Sequence, residues 1–360
     1  MPDSTLTVPA NSAHLRAPVR RLFARHSYAA VPFVITVGLF VVNLVVQPAF
    51  VYLSNLGSSM AVLFPILLTG MALTLPVLSG NGGIDLSVGP LAGFVTVFVS
   101  AILMPAGIRA PELVIPIVIV FGLLSGAVNG VLIGYVRLPP IIATLGMYLF
   151  WEGLGTQVQP EAGGQVPGWL IGINGSYGPV PGLLIVVAIV VVVWSLIART
   201  AYLRNLLAIG GDERAAFSAG INVAAVRVMT YALTGALACL AGLMLAGLIQ
   251  SGDGTVGPPY TISAITAVAL GGISLAGGRG GMLGGALGGM ALFLIQELLT
   301  AGHVSVYAVS VADGIILIIA LALNGTLEFL RRRRSVRLGP QQPMVLVQPE
   351  ELGGFNVETS

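Results

Sequence analysis

The sequence predicts an all-α integral membrane protein with about ten transmembrane helices and both termini in the cytoplasm. Hydrophobic residues make up 56% of the 360 positions and charged residues 8%, with 48 glycines and a mean hydropathy of +0.96. That charge content is about a third of the ~25% usual in a soluble globular chain. Between Arg25 and Arg109 the only Asp, Glu, Lys or Arg is Asp85, and a soluble protein could not keep so long a stretch dispersed in water. Apolar runs of about 20 residues, the length that crosses a bilayer, recur along the chain.

The predicted spans lie near 29 to 50, 58 to 79, 88 to 106, 112 to 136, 140 to 157, 180 to 198, 224 to 249, 260 to 276, 282 to 300 and 304 to 328. The eighth is short and Gly-rich and reads either as a crossing or as a re-entrant segment. Arginines near span ends collect on the cytoplasmic side. With both termini inside, Arg16, Arg20, Arg21, Arg25, Arg137, Arg199, Arg204, Arg214, Arg227, Arg279, Arg331 to Arg334 and Arg337 are cytoplasmic, and only Arg109 falls outside. Removing one span inverts the C-terminal half and spoils this bias. The expectation is ten spans, or eight plus a hairpin pair of partial spans.

The expected organisation is a cytoplasmic N-terminal tail at 1 to 28, a transmembrane domain at 29 to 328 and a flexible cytoplasmic C-terminal tail at 329 to 360. The polar residues before the first apolar run, and the anchoring length of that run, argue against a cleavable signal peptide. The C-terminal stretch contains Pro, Gln and Glu but no apolar run of span length, as in a solvated tail.

Composition also excludes several chemistries. All 16 basic residues are Arg, so the chain lacks the Lys that a phosphate-binding loop uses on the β- and γ-phosphates. Cys239 is the single cysteine, which rules out an internal disulfide and a Cys-based metal cluster. It reads as a small apolar residue within a span. His14, His26 and His303 are scattered and give no basis for a His-based metal site.

Three polar stretches interrupt the apolar pattern. Residues 199 to 227, RTAYLRNLLAIGGDERAAFSAGINVAAVR, form the longest. Gly210 and Gly211 are expected to break the preceding helix, Asp212 to act as an N-cap, and Glu213 to Ala219 to form one or two helical turns ending at Gly220. Such a helix, lying along the membrane surface, is either a docking element or part of an ordinary charged cytoplasmic loop.

The second stretch is GNGGIDLSVG at 80 to 89. Its glycines permit unwound backbone, which is tolerated at membrane depth only where protein or water covers it. Asp85 then lines a polar passage; alternatively it caps the third span at Leu86, helped by Ser87, in a plain cytoplasmic turn. The third stretch, LGGISLAGGRGGMLGGALGG at 270 to 289, reads chiefly as tight helix packing around a hairpin. Arg279 at its tip is a cytoplasmic anchor or a partner contact. Within spans, Glu152 and Glu297 read as interfacial, and Asp313 as a polar contact between helices or, less simply, a proton relay.

At these stretches the sequence resembles the membrane permease of ribose-type ABC sugar importers, a family that includes permeases for xylose, galactose, inositol and autoinducer-2. GGIDLSVG at 82 to 89 resembles the first signature and NGVLIGYVRLPPIIATLGM at 129 to 147 the second. AIGGDERAAFSAGINVAAVRV at 208 to 228 is similar to the coupling segment, and AVALGGISLAGGRGGMLGGALGG at 267 to 289 to the glycine-rich hairpin. The resemblance runs in order over residues 30 to 325. The Asp-Leu-Ser-Val-Gly form points to the sugar branch rather than to permeases for branched-chain amino acids or nucleosides.

The resemblance implies that Asp212, Glu213, Arg214, Ala215, Ala216, Gly220 and Ile221 dock into a separate ABC ATPase subunit. ATP and magnesium belong to that subunit, and this chain is expected to be non-catalytic and to hold no cofactor or metal. Two permease chains, identical or different, then form the passage in the bacterial inner membrane among its lipids. An extracytoplasmic sugar-binding protein delivers the solute, and no nucleic acid is expected as a partner. A passage for sugars needs a few weak polar contacts, for which Asp85, Ser87, Asn129, Thr144 and Ser274 are the candidates. Two positions depart from the family pattern: Arg214 stands where importers often have Glu before the Ala-Ala pair, and Asp313 stands where many sugar permeases have a basic residue.

Two rival readings are compatible with the composition. A stand-alone secondary transporter would use broken helices near the midplane and need coupling acids deep in the bundle. An intramembrane enzyme would need a catalytic constellation that the sequence does not display.

Overall fold

The computed structural model describes residues 27–337 apart from 174–175 and 178–179. The expectations for the tails, including Arg16, Arg20, Arg21 and Arg25, fall on 1–26 and 338–360, outside the described residues. The described residues are helical, with one short β1–β2 hairpin among them, Ser176–Tyr177 against Val180–Pro181. The helices are α1 (Ala30–Val46), α2 (Leu53–Leu78), α3 (Val88–Val97), α4 (Pro111–Gly134), α5 (Pro140–Val158), α6 (Gly168–Ile173) and α7 (Gly182–Arg199). They continue with α8 (Ala201–Gly211), α9 (Glu213–Ser218), α10 (Val223–Ile249), α11 (Pro258–Leu270), α12 (Met282–Ala301) and α13 (Val306–Arg337). A π-helical stretch, Phe98–Leu103, prolongs α3.

Among the described residues, five helices are individually long and apolar enough to cross a membrane: α2, α4, α10, α12 and the Tyr307–Thr326 part of α13. The pair α7 and α8, bent by 73° at Thr200, supplies a sixth if taken together, and α1, α3 with its extension, and α11 are shorter apolar helices. Prolines set several boundaries, because Pro111, Pro140 and Pro258 open α4, α5 and α11 where a missing N–H leaves no helical bond unmade.

Small residues bring the helices together, as expected where apolar surroundings remove the hydrophobic drive between them. On α4, Gly122, Gly126, Gly130 and Gly134 recur every four residues and so share one face. A side chain there would meet, in order, Gly235 and Cys239, Tyr231, Val228, and Ala224 of α10. The two helices are therefore antiparallel and in backbone contact. Gly70 and Gly285 bring α2 against α12, while Gly271, Gly284 and Gly288 close the α11–α12 hairpin. The centre is formed by α2 and α10, whose Leu68, Leu73, Leu75, Tyr231, Leu243 and Leu245 are fully buried.

The glycine turn between α11 and α12 ties three connections together. Gly278 N–H donates to the Leu78 carbonyl (3.1 Å), and a side chain on Gly210 would strike Leu78 O and Gly278, just as one on Gly277 would strike Gly80. The ends of α2, α8 and α11 thus meet backbone to backbone at one glycine junction, which bears out tight packing as the role of these glycines. Gly277 and Gly278 also adopt φ of +94° and +69°, which glycine does without strain.

Asp313 is a helix-to-helix polar contact, since Gln296 Nε2 on α12 donates to its Oδ2 at 2.9 Å. The outward faces of α1 and α13 carry exposed Val, Ile, Leu and Phe, as befits surfaces whose solvent is lipid.

Candidate functional site

The segment after α7 departs from the expected loop. Thr200 caps α8 by accepting from Tyr202 N–H, and α8 continues through Gly210 and Gly211 instead of breaking there. Gly210 is required for a different reason, the close approach to Leu78 and Gly278. The helix stops at Asp212, whose extended backbone (φ −156°, ψ 105°) leaves helical space and whose side chain starts the next helix.

That next helix, α9, has the expected form. Asp212 Oδ1 accepts from the amides of Arg214 (2.9 Å) and Ala215 (3.0 Å), satisfying two donors that a helix start leaves unpaired. Gly220 terminates it with φ +82°, and Ile221 N–H donates back to Ala216 O (3.1 Å), a left-handed glycine stop. Ala216 is buried with Ile209 and Val223, and Ile221 packs on them. Arg214 and Ala215 face outward. Phe217, which sequence reasoning did not single out, is 72% exposed.

The sequence marks Arg227 only as one of the arginines of the cytoplasmic bias. Its side chain is buried on α10 and donates from Nη1 and Nη2 to Glu213 Oε1 (3.0 Å) and Oε2 (2.7 Å). This fork fixes α9 against α10. Tyr202 on α8 adds a second tie, its hydroxyl meeting Thr230 Oγ1 at 3.1 Å; burial pushes the phenol far above its ordinary range, so it stays protonated. Beside α9 lies a cleft of about 1270 Å³, walled by Arg137, Pro139, Glu213, Phe217, Asn222 and Arg227 among others.

The Asp85 turn is covered by protein. Helix α3 begins at Val88, and Ser87, its N-cap, makes no side-chain cap. Asp85 is only 2% exposed and accepts from Ser87 N–H (2.9 Å) and Oγ–H (2.6 Å). Gly80, Asn81 and Gly82 all take positive φ, which lets the chain turn sharply after α2 and run back inward under protein cover. Asn129 Nδ2 on α4 donates to Ser87 Oγ (3.0 Å), and Thr144 Oγ1 on α5 donates to the Ile84 carbonyl (3.2 Å).

Four of the expected passage residues are therefore brought together: Asp85, Ser87, Asn129 and Thr144. Ser274 lies in the glycine turn between α11 and α12, where its amide donates to Arg279 O (3.0 Å). Tyr231, one turn beyond Arg227 on α10, is fully buried. Among the described residues, Asn129 Oδ1 and the Tyr231 hydroxyl are buried without a hydrogen-bond partner. Unmade bonds of this kind are uncommon in a settled interior, and they give the cluster polar capacity that this arrangement does not use.

The family model described as "Branched-chain amino acid transport system / permease component" matches residues 55–321. The chain belongs to this family of transport permeases. The permease is 35% identical to the ribose import permease protein RbsC of Bacillus subtilis (strain 168) over 257 residues, covering 68% of this chain and 77% of the relative. It is 31% identical to the autoinducer 2 import system permease protein LsrC of Escherichia coli (strain K12 / DH10B), covering 78% and 83%. It is 30% identical to the fructose import permease protein FrcC of Rhizobium meliloti, covering 89% and 92%. No solved structure matches the permease significantly.

Proposed function

We propose that this permease is the membrane subunit of an ATP-driven ABC importer for a sugar or sugar-like solute. The observation that carries the reading is α9: capped by Asp212, ended by Gly220, clamped through Glu213 and presenting Phe217 beside an open cleft. A rigid, exposed helix of this kind suits docking to a separate ATPase, which would bind ATP and magnesium. The names of the relatives, import permeases for ribose, autoinducer 2 and fructose, support a hydroxyl-rich solute delivered by an extracytoplasmic binding protein.

In this reading the chain crosses the bacterial inner membrane ten times. Support comes from the directions of the helices: α2, α8 and α11 end at the glycine junction, where Gly277 and Gly278 press on Gly80 and Gly210, and α12 leaves it. The pairing of α4 with α10, and of α1 with α12 through Thr36 to Leu287 and Asn43 to Leu294, continues the alternation. The arginine bias supports a cytoplasmic position for the junction and α9. A second permease chain, identical or homologous, completes the passage, and closure of the ATPases moves α9 to bias its two states. The comparisons do not favour a stand-alone secondary transporter, and the buried acids Asp85 and Asp313 are engaged by neighbouring side chains.

The test is purification of the tagged chain from native membranes in mild detergent, with mass spectrometry of what remains bound. A stoichiometric ATPase subunit is the expected result. A chain that arrives alone and transports without ATP after reconstitution would overturn the proposal.

A further inference from the structure

The Asp85 segment has a counterpart. Asp85-Leu86-Ser87-Val88-Gly89-Pro90 and Asp253-Gly254-Thr255-Val256-Gly257-Pro258 share the pattern Asp-x-Ser/Thr-Val-Gly-Pro. Their geometry is the same as well: Asp253 Oδ1 accepts from Thr255 N–H (2.8 Å) and Oγ1–H (2.7 Å), as Asp85 Oδ1 does from Ser87. Each motif follows a long helix, α2 or α10, and leads into a short one, α3 or α11.

The surrounding units run in opposite senses. Helix α2 ends at the glycine junction, and α4, reached through α3, returns beside the start of α10. Helix α10 leaves that side, whereas α11 comes back to the junction and α12 departs from it. Packing follows the same exchange, with α4 against α10 answered by α12 against α2. Residues 53–134 and 223–301 are therefore an inverted pair of span, turned motif, half-helix and span. The two motifs touch where their half-helices begin: Gly89 N–H donates to Thr261 Oγ1 (3.2 Å), which donates to Leu86 O (3.1 Å). A side chain on either Gly89 or Gly257 would collide with the backbone of the other.

What differs is the surroundings. The Asp85 turn is buried and gripped by Asn129. The Asp253 turn is more exposed, and its backbone is held on the far side by Thr96: Asp253 N–H donates to Thr96 Oγ1 (2.9 Å), and that hydroxyl lies 3.1 Å from Asp253 O. Inverted repeats in transporters exchange conformations when access alternates, and two motifs in mutual contact cannot shift independently.

We propose that Asp253, with Thr255 and Thr96, forms a positioning clasp at the extracytoplasmic end of the passage. It is the inverted equivalent of the Asp85–Ser87–Asn129 clasp, and the two clasps tighten in turn during transport. This inference rests on the permease reading above.

The test is hydrogen–deuterium exchange of the permease–ATPase complex in nanodiscs, with and without ATP and vanadate. In the wild type, nucleotide trapping shifts exchange of peptides covering 80–89 and 250–257 in opposite directions. Asp253→Ala, which removes the acceptor for both Thr255 bonds, and Thr255→Val speed exchange at 250–257 by about tenfold and slow it at 80–89, while Thr255→Ser restores the wild-type pattern. Faster exchange confined to 250–257, or faster exchange in both segments, would show a merely local support and overturn the clasp. A wild-type complex that ignores nucleotide in both segments would likewise overturn the clasp, whereas a tagged permease that recovers no ATPase with which to form the complex would bring down the permease reading, and the clasp with it.

Discussion

Arg227 holds Glu213 by two hydrogen bonds of 3.0 and 2.7 Å, so the first residue of α9 is bolted to a buried guanidinium on α10. Motion imposed on α9 is thereby delivered to the helix that packs against α2 and α4 at the centre of the protein. Because Glu213 is 41% exposed and Arg227 only 9%, breaking the pair from the Glu side leaves the more heavily buried charge uncompensated.

Replacing Glu213 with Ala is expected to destabilise the docking region by about 2 kcal/mol. ATP hydrolysis should persist while uptake per ATP falls by about tenfold, the equivalent of about 1.4 kcal/mol of lost coupling. Parallel measurement of ATPase rate and solute uptake in proteoliposomes checks this. A loss of both in equal proportion would mean that the pair supports assembly and not transmission.

Asp212→Ala removes the acceptor for two amides and is expected to cost about 1 kcal/mol of helix stability. Asp212→Asn keeps an acceptor and should stay close to wild type. Retention of the ATPase on the tagged permease through a salt wash, compared across the two variants, separates a capping role from a charge role.

The exposed ring of Phe217 is expected to supply apolar contact to the ATPase. Phe217→Glu should abolish co-purification, and Phe217→Leu should keep it, with membrane levels of both unchanged because the side chain meets little of its own protein. Undiminished ATPase capture by Phe217→Glu would place the contact elsewhere on α9.

Gly210→Val is expected to prevent stable accumulation in the membrane, since the new side chain has only the backbone of Leu78 and Gly278 to move against and overpacking of this kind costs about 1–3 kcal/mol or more. Gly211→Ala one residue later has open space and should be tolerated. Detergent-solubilised thermal unfolding of the two variants is the measurement.

The helices themselves were legible because membrane solvent forces apolar runs into helices: α4, predicted near 112 to 136, is Pro111–Gly134, and α10, predicted near 224 to 249, is Val223–Ile249. The cap and stop of α9 were legible for the same reason of local chemistry, Asp before and Gly after. The end of α8 was not, because Gly210 and Gly211 read as helix breakers and the packing of its Tyr202, Leu206 and Ile209 on the bundle depends on tertiary contacts. The depth of Asp85 was hidden too, since composition cannot tell whether three glycines place a turn in solvent or fold it beneath neighbouring helices. Arg227 looked like every other arginine at a span end, and its burial follows from Glu213, fourteen residues earlier. The second Asp-x-Ser/Thr-Val-Gly-Pro motif was available in the letters, but six residues in inverted surroundings give little signal until the helix directions are known.

Cys239 sits fully buried where α10 faces Gly122, and it is the single thiol in 360 residues. In the folded state it is shielded from water-borne maleimides and nitroxides by the very contact that joins α4 to α10. The wild-type permease is thus already a silent background for spectroscopy: one cysteine introduced at the surface carries the whole signal, and distances between paired probes can follow the transport cycle without first stripping the protein of its own sulfhydryl.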